Sequence, residues 1–343
     1  MSTAPTGINT ENVTAWLCQR VPHAAPPLSF ELITGGASNL TFRVADQLGN
    51  RWVLRRPPTG HVLASAHDMA REHRIIAALA DTSVPVPPTF GLCQDESVNG
   101  ADFYLMGFVD GQIVFNYADG NAYPEALRPK LRDSLVDTLA DLHAIDPATV
   151  GLGDLGRTED YCGRQLRRWK RQIDEGSDRA LPLFQELHAA LTDSVPPQQG
   201  AGIVHGDFRL DNCMASSEGT IAAVLDWELC TLGDVLADLA GVVMWWGDDE
   251  NAQGRLADVP TRADGFGSSD EVIARYASRS DRDLTNLPWY VAFQHWRLAA
   301  ISEGVRFRYA HGAMGDQEGT ADEDARIGID YLLNSAETWL GRS

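Results

Sequence analysis

The apolar pattern changes character once along this 343-residue chain. Up to about residue 110 it runs in short β-type segments at 30–33, 40–44, 51–55 and 102–109, punctuated by Gly and Pro. One helix interrupts them, expected over 64–80 and ended by Pro85, Pro87 and Pro88. A short helix is also expected at 11–19. Beyond residue 110 the pattern is helical. Leu131, Leu135, Leu139 and Leu142 recur at three-to-four spacing. Further helices are expected at 162–173, 180–192, 235–246 and 289–309. The short runs 202–204 and 222–225 read as a small β-ribbon around a polar loop, and 247–270 and 311–324 as long loops of the kind used as lids or binding loops. Strands followed by helices predict an α+β class. The expected division is a sheet-plus-helix part, residues 1–110, and a larger mainly helical part, residues 111–343, with a cleft between lobes as the place for a ligand.

Charge narrows the partners. The chain has 28 basic and 48 acidic residues, net −20. Residues 1–110 hold 7 and 10 of these, so most of the excess acid lies in the second part. Nucleic acid and anionic membrane surfaces both require a basic footprint, so neither is an expected partner. Five widely spaced cysteines without a CxxC fit reduced thiols. No apolar run reaches the ~18 residues of a membrane span, and residues 1–12 lack a signal-peptide pattern. The expectation is a cytoplasmic protein. Only two lysines occur, Lys130 and Lys170, so nothing in the sheet part is a lysine.

The segment His205-Gly206-Asp207-Phe208-Arg209-Leu210-Asp211-Asn212 contains HxDxxxxN, and Asp226 follows 14 residues after Asn212. Phosphoryl transfer needs these parts. One carboxylate orients the acceptor hydroxyl and takes its proton, while an amide oxygen and a second carboxylate hold Mg²⁺ against the phosphates. The competing reading is a polar loop in which Asp207 caps a turn. Arg209 has two open roles, contact with a phosphate or a salt bridge to Asp211 or another nearby acid.

Glu72 lies within about 60° of Met69, Ile76 and Leu79 on a helical wheel. A carboxylate on an apolar stripe needs a partner. The strand end 17 residues earlier supplies Arg55-Arg56. Alternation groups Arg55 with Val53, and Arg56 with Trp52 and Leu54 on the other face; Arg55 is favoured as the phosphate-holding cation. The alternative is a Glu72 that reaches water at the edge of the stripe. Between the first two strands, the turn Gly35–Asn39 offers backbone N–H groups and the Ser38 hydroxyl to phosphates, or is simply a hairpin turn. It is neither a P-loop nor GxGxxG.

Together HGDFRLDN (205–212), VLDWE (224–228), GDVLADLA (233–240) and REHRIIAAL (71–79) resemble the aminoglycoside phosphotransferase and choline kinase-like families, over about residues 30–246. The resemblance implies a bilobal protein-kinase-like fold and a phosphotransferase using ATP and Mg²⁺. Asp207 would be the base, with Arg209 beside it. Asn212 and Asp226 would be metal ligands. Ser38, Asn39, Arg55 and Glu72 would serve the nucleotide phosphates, and the hinge with Leu105, Met106 and Phe108 would meet its base. Asp238 would brace the catalytic loop. Asp234 is read as a helix N-terminal charge, His205 as orienting the loop, and His143 as structural. These families often carry lysine at the strand position held here by Arg55; arginine stays charged and binds phosphate bidentately. HGDFRLDN, the RRPP strand end and SAHDMAREHR are similar to a subgroup fused to acyl-CoA dehydrogenases, which implies a hydroxyacyl or related acceptor. A chain of this length is expected not to hold a dehydrogenase beside a kinase fold.

The leading expectation is therefore transfer of the ATP γ-phosphoryl group to a hydroxyl of a small-molecule acceptor. The alternatives are a catalytically inactive nucleotide-binding regulator, motivated by Arg55, and a metal-dependent hydrolase built on His205, Asp207 and Asp226. The acidic second part favours cationic acceptors, whereas Arg297, Arg306 and Arg308 would suit anionic ones. Trp245, Trp246, Trp289 and Trp296 are either pocket lining or core.

Overall fold

The computed structural model describes residues 5–33, 39–59, 68–311 and 320–343, with side chains from 322 in the last stretch. They fall into two compact units, Met1–Gln112 with Ala222–Leu229, and Ile113–Ile221 with Cys230–Ser343.

The first unit begins with α1 (Thr10–Arg20), started by the Asn9 side chain accepting from the Asn12 N–H at 3.2 Å. Next come β1 (Ser29–Leu32), β2 (Leu40–Ala45), β3 (Arg51–Arg56), α2 (Met69–Leu79), β4 (Thr89–Cys93), α3 (Glu96–Asn99) and β5 (Phe103–Gly107). The strands form one antiparallel sheet in the order β1-β2-β3-β5-β4. One face packs Phe42, Val44, Trp52, Leu54, Phe103 and Leu105 against Val13, Trp16 and Leu17 of α1. The alternation of β3 therefore sends Arg56 to the α1 side, where its guanidinium donates to the carbonyls of Gly7 and Asn99. Arg55 points to the other face, opposite Tyr104 of β5.

Helix α2 starts at Met69, where Asp68 accepts from the Arg71 N–H at 2.9 Å. It buries Met69, Glu72, Ile75, Ile76 and Leu79. Of the helix expected over 64–80, residues 64–67 lie outside the described residues, as does Ser38. Strand β4 was not anticipated: Thr89-Phe90-Gly91 has little alternation, and its register shifts at Gly91.

The strand β6 (Gln112–Ile113) stands at the junction. The second unit contains α4 (Tyr117–Ala122), α5 (Arg128–Ala144), α6 (Tyr161–Gly176), α7 (Pro182–Asp193), β7 (Gly202–Val204) and β8 (Cys213–Ala215). After β9 (Ile221–Val224), most of which belongs to the first unit, come β10 (Thr231–Gly233), α8 (Leu236–Met244), α9 (Ser269–Ala277), α10 (Leu287–Ala310) and α11 (Thr320–Leu340). The partner of β7 is β10, correcting the expected ribbon with 222–225. Short apolar runs carry no information on which of them pair.

Helix α10 is buried on nearly all sides and packs α6, α7, α8 and α11. The stretch 247–270 is no open loop. It has two 3₁₀ turns, Gly254–Asp258 and Pro260–Arg262, and buries Leu256, Val259, Ala263 and Phe266. Residues 222–229, expected in the second part, join the first unit. There the turn after β9 contacts α2, and the Val224 N–H donates to the Pro85 carbonyl at 2.8 Å. Among the described residues no helix is long and apolar enough to cross a membrane.

Candidate functional site

In the first unit, one cation is shared by three carboxylates. Arg55 places Nη2 2.6 Å from Asp226 Oδ1 and 3.8 Å from Glu228 Oε2, and Nε 3.1 Å from Glu72 Oε2. Glu72 is 2% exposed. Its carboxylate accepts from the Tyr104 hydroxyl at 3.0 Å and from Asn39 Nδ2 at 3.2 Å. Asn39 Nδ2 also approaches Glu228 at 3.5 Å. Asp226 adopts φ 62°, a left-handed conformation that Asp tolerates better than most residues. The next residue, Trp227, is fully buried and fixes the turn by donating its indole N–H to the Val224 carbonyl at 3.1 Å.

The electrostatics follow from one positive charge among three negative ones. Burial alone would lower the Arg55 pKa, but Tyr104, Glu72 and Asp226 raise it well above its ordinary value. The most buried carboxylate bears the cost. Burial pushes Glu72 up to about 7, against the opposing pull of Arg55 and the Tyr104 hydroxyl. These shifts agree: the guanidinium has more anionic partners than it can neutralise.

Of the expected hinge residues, Leu105 is fully buried in the α1-side core and has strand neighbours on both edges. Met106 is likewise paired on both edges, with Val53 and Thr89. Phe108 lies past the last ladder pair, half-buried, with the Arg51 guanidinium 4.4 Å above its ring. Among these three, Phe108 alone is outside the ladder.

In the second unit, the polar loop after β7 is held from below by a buried carboxylate. Asp238, on α8, accepts the backbone N–H of His205 at 2.6 Å and of Gly206 at 2.9 Å. His143 of α5 places Nε2 3.6 Å from the same carboxylate and Nδ1 2.8 Å from the Tyr276 hydroxyl. Burial would raise the Asp238 pKa, but His143, His205 and the Gly206 N–H hold it below the usual carboxylate range. Burial lowers His143, which favours the neutral ring. Gly206 takes φ 88°, where a side chain would be strained. Arg297 Nη2 donates to the Gly206 carbonyl at 3.1 Å.

Inside the loop, His205 Nδ1 faces the Asp207 N–H at 3.3 Å, which makes it an orienting residue. Asn212 Nδ2 donates to the Asp207 carbonyl at 2.8 Å and to Asp207 Oδ2 at 2.9 Å. Both contacts use the amide nitrogen of Asn212 and not its oxygen. Arg209 sets Nε 3.2 Å from Asp207 Oδ1 and Nη1 2.7 Å from Asp211 Oδ2. The salt-bridge role is thus occupied. Burial raises Asp211 to about 6 against the Arg209 charge. Asp234 accepts the Leu236 N–H at 3.2 Å at the start of α8, and the Tyr290 hydroxyl at 2.6 Å.

A cavity of about 150 Å³ adjoins this loop, lined by Arg209, Leu210, Asp211, Trp245, Trp246 and Arg255, among others. Trp245 and Trp246 therefore line a pocket, whereas Trp289 and Trp296 are core, stacked on Phe293 and Phe184. Arg306 is buried against Glu303, Asp178 and Asp322, and so serves the fold. Among the described residues no group of three His, Cys, Asp or Glu side chains is placed to hold a metal, and the hydrolase alternative gains no shell. Arg255, Tyr104 and Glu228 were not singled out from the sequence. Tyr104 and Glu228 are neighbours only through long-range pairing; Glu228 stood inside a quoted motif.

The fold is of protein-kinase-like type, with an antiparallel sheet in one unit and a mainly helical other. Residues 29–278 match the model of the phosphotransferase enzyme family, and the chain belongs to it. A putative aminoglycoside phosphotransferase from Ralstonia eutropha superposes with TM-score 0.81 at 33% identity, over 96% of this chain and 98% of that one. Aminoglycoside 2′-phosphotransferase-IIIa, solved as a GDP complex, shares the fold at TM-score 0.63 and 14% identity, over 96% of this chain and 99% of that one. Among curated proteins, acyl-CoA dehydrogenase family member 11 of Gallus gallus is 36% identical over 312 residues, 87% of this chain. The chain spans 39% of that relative's length. The subgroup resemblance is thereby borne out, and small-molecule phosphotransfer is the supported class of activity.

Proposed function

We propose that this chain transfers the γ-phosphoryl group of MgATP to a hydroxyl of a small-molecule acceptor. The observation carrying this reading is the Asp207–Asn212 pair. The Asn212 amide locks the Asp207 carboxylate while Asp238 pins the loop backbone beneath it.

In this reaction Asp207 orients the acceptor hydroxyl and accepts its proton as that oxygen bonds to the γ-phosphorus and the bond from the γ-phosphorus to the β,γ-bridging oxygen breaks, releasing ADP. The second Asp207 oxygen faces Arg209, which orients the carboxylate. Asn212 and Asp226 offer hard oxygen donors of the kind Mg²⁺ prefers, and this donor chemistry fits the ion. When bound, it would neutralise charge on the phosphates. Arg55 steadies the phosphates, positioned by Glu72 and Tyr104. The Phe108 position serves the nucleotide base, and Asn39, with Ser38 before it, the phosphates.

A second reading has a specific observation behind it. Arg55, in place of a lysine, contacts Asp226 directly at 2.6 Å. A cation that stays on that carboxylate would leave a nucleotide-binding regulator without turnover.

Transfer of labelled γ-phosphate from MgATP into a pooled metabolite extract separates the two. Labelled product from the wild type and none from Asp207→Asn supports the kinase reading. Nucleotide binding by thermal shift without product across a broad acceptor panel supports the regulator.

A further inference from the structure

The cavity beside the catalytic loop has a chemistry of its own. Its walls are mostly apolar: Leu135, Leu210, Val242, Trp245 and Val259. Its charged groups are two arginines and two aspartates. Both aspartates have partners. Asp211 is paired with Arg209 at 2.7 Å, and Asp258 accepts the Tyr117 N–H at 3.2 Å. Arg209 is paired as well, to Asp211 and Asp207.

Arg255 differs. Its guanidinium sits 5.2 Å over the Trp245 ring, and Arg209 sits 4.6 Å from the same ring. Among the described residues no carboxylate forms an ion pair with Arg255. A guanidinium spread on an aromatic face keeps its N–H edge for a planar or tetrahedral anion. The short turn that carries it is anchored by buried Leu256 and Val259, so the position of Arg255 is set by the fold.

We propose that this cavity is the acceptor subsite, and that Arg255 on Trp245 fits it to an acceptor whose hydroxyl and anionic group are separated by an apolar body. The proposal rests on the phosphotransferase reading for its link to catalysis. The hydroxyl end lies toward Asp207, which shares Arg209 with the cavity wall. The anionic end meets Arg255. The net acidity of the chain would favour polycations, but Arg209 and Arg255 on the cavity wall oppose them, and Asp211 is already paired.

The test is calorimetric titration of the full chain with hydroxycarboxylates of graded length, with the matching hydroxyalkyl phosphates, and with their uncharged amide and cationic amine counterparts. Either anionic series is expected to bind at least about tenfold more tightly than its amide or amine counterparts, the strength of a charge-assisted contact. The two anionic arms tell a carboxylate site from a phosphate site. Arg255→Met is expected to erase the preference while melting like the wild type, and Arg255→Lys to keep part of it. Equal or tighter binding of amides or amines, no anion binding, or a preference that survives Arg255→Met overturns the assignment. Anion binding with no transfer from MgATP keeps the assignment and overturns the phosphotransferase reading. Transfer to cationic acceptors with anions inert does the reverse.

Discussion

Two buried carboxylates, Glu72 in the first unit and Asp238 in the second, are almost equally hidden from water, yet their proton affinities move in opposite directions. Asp238 is held by donors that belong to it, two backbone N–H groups, with the His143 ring beside them. Glu72 shares its cation with Asp226 and Glu228. The difference bears on the roles proposed for the two regions. A loop whose backbone must not move is pinned by a fully satisfied acceptor. A cluster with more anionic than cationic groups is poised for added positive charge, which suits a nucleotide site that works with a metal.

The largest effect is expected at the pinned loop. Asp207→Asn removes the proposed base and should lower transfer about 10³-fold or more, within the range for general-base loss, with nucleotide affinity retained. Steady-state transfer rates check it. Asp238→Ala strands two buried N–H groups and should cost roughly 3 kcal/mol in chemical denaturation. Its loss of activity should exceed that of any change at Tyr276, which reaches Asp238 through His143.

Smaller effects are expected at the shared cation. Arg55→Met should weaken ATP binding about tenfold, and Arg55→Lys should restore most of it. The pH response sharpens the comparison further. Glu72 binds its proton more tightly when folded, so its contribution is full below its ordinary value near 4.5 and is lost as pH rises through about 7. Glu72→Gln should therefore gain stability relative to the wild type between pH 5 and 8, on the order of 1 kcal/mol. Asp238 has the other sign. Its contribution is present above about pH 4 and lost as pH falls below. Denaturation midpoints from about pH 3 to pH 8 check both, and parallel behaviour of the two sites would break the comparison.

What the sequence made legible divides the same way. The loop was readable because its parts are local: Asp207, Arg209 and Asn212 lie within six residues, and that spacing dictates their contacts. Arg55 and Glu72 were readable from two periodicities, strand alternation and the helical wheel. Arg55 meeting Asp226 across 171 residues was not, since no spacing rule reaches that far. Tyr104 was hidden inside an apolar strand run. Arg255 was hidden in a stretch read as a long loop, because buried residues there are scattered and follow neither period. The start of α11 at Thr320 falls inside the stretch 311–324 read as a long loop.

The central claim is a division of labour, with binding of the nucleotide phosphates at Arg55 and transfer at Asp207. It is tested most directly by measuring ATP affinity and phosphoryl transfer side by side in Asp207→Asn and Arg55→Met. The account predicts unchanged affinity with transfer abolished in the first, and weakened affinity in the second. Wild-type turnover in Asp207→Asn, or unchanged ATP affinity in Arg55→Met, would contradict it.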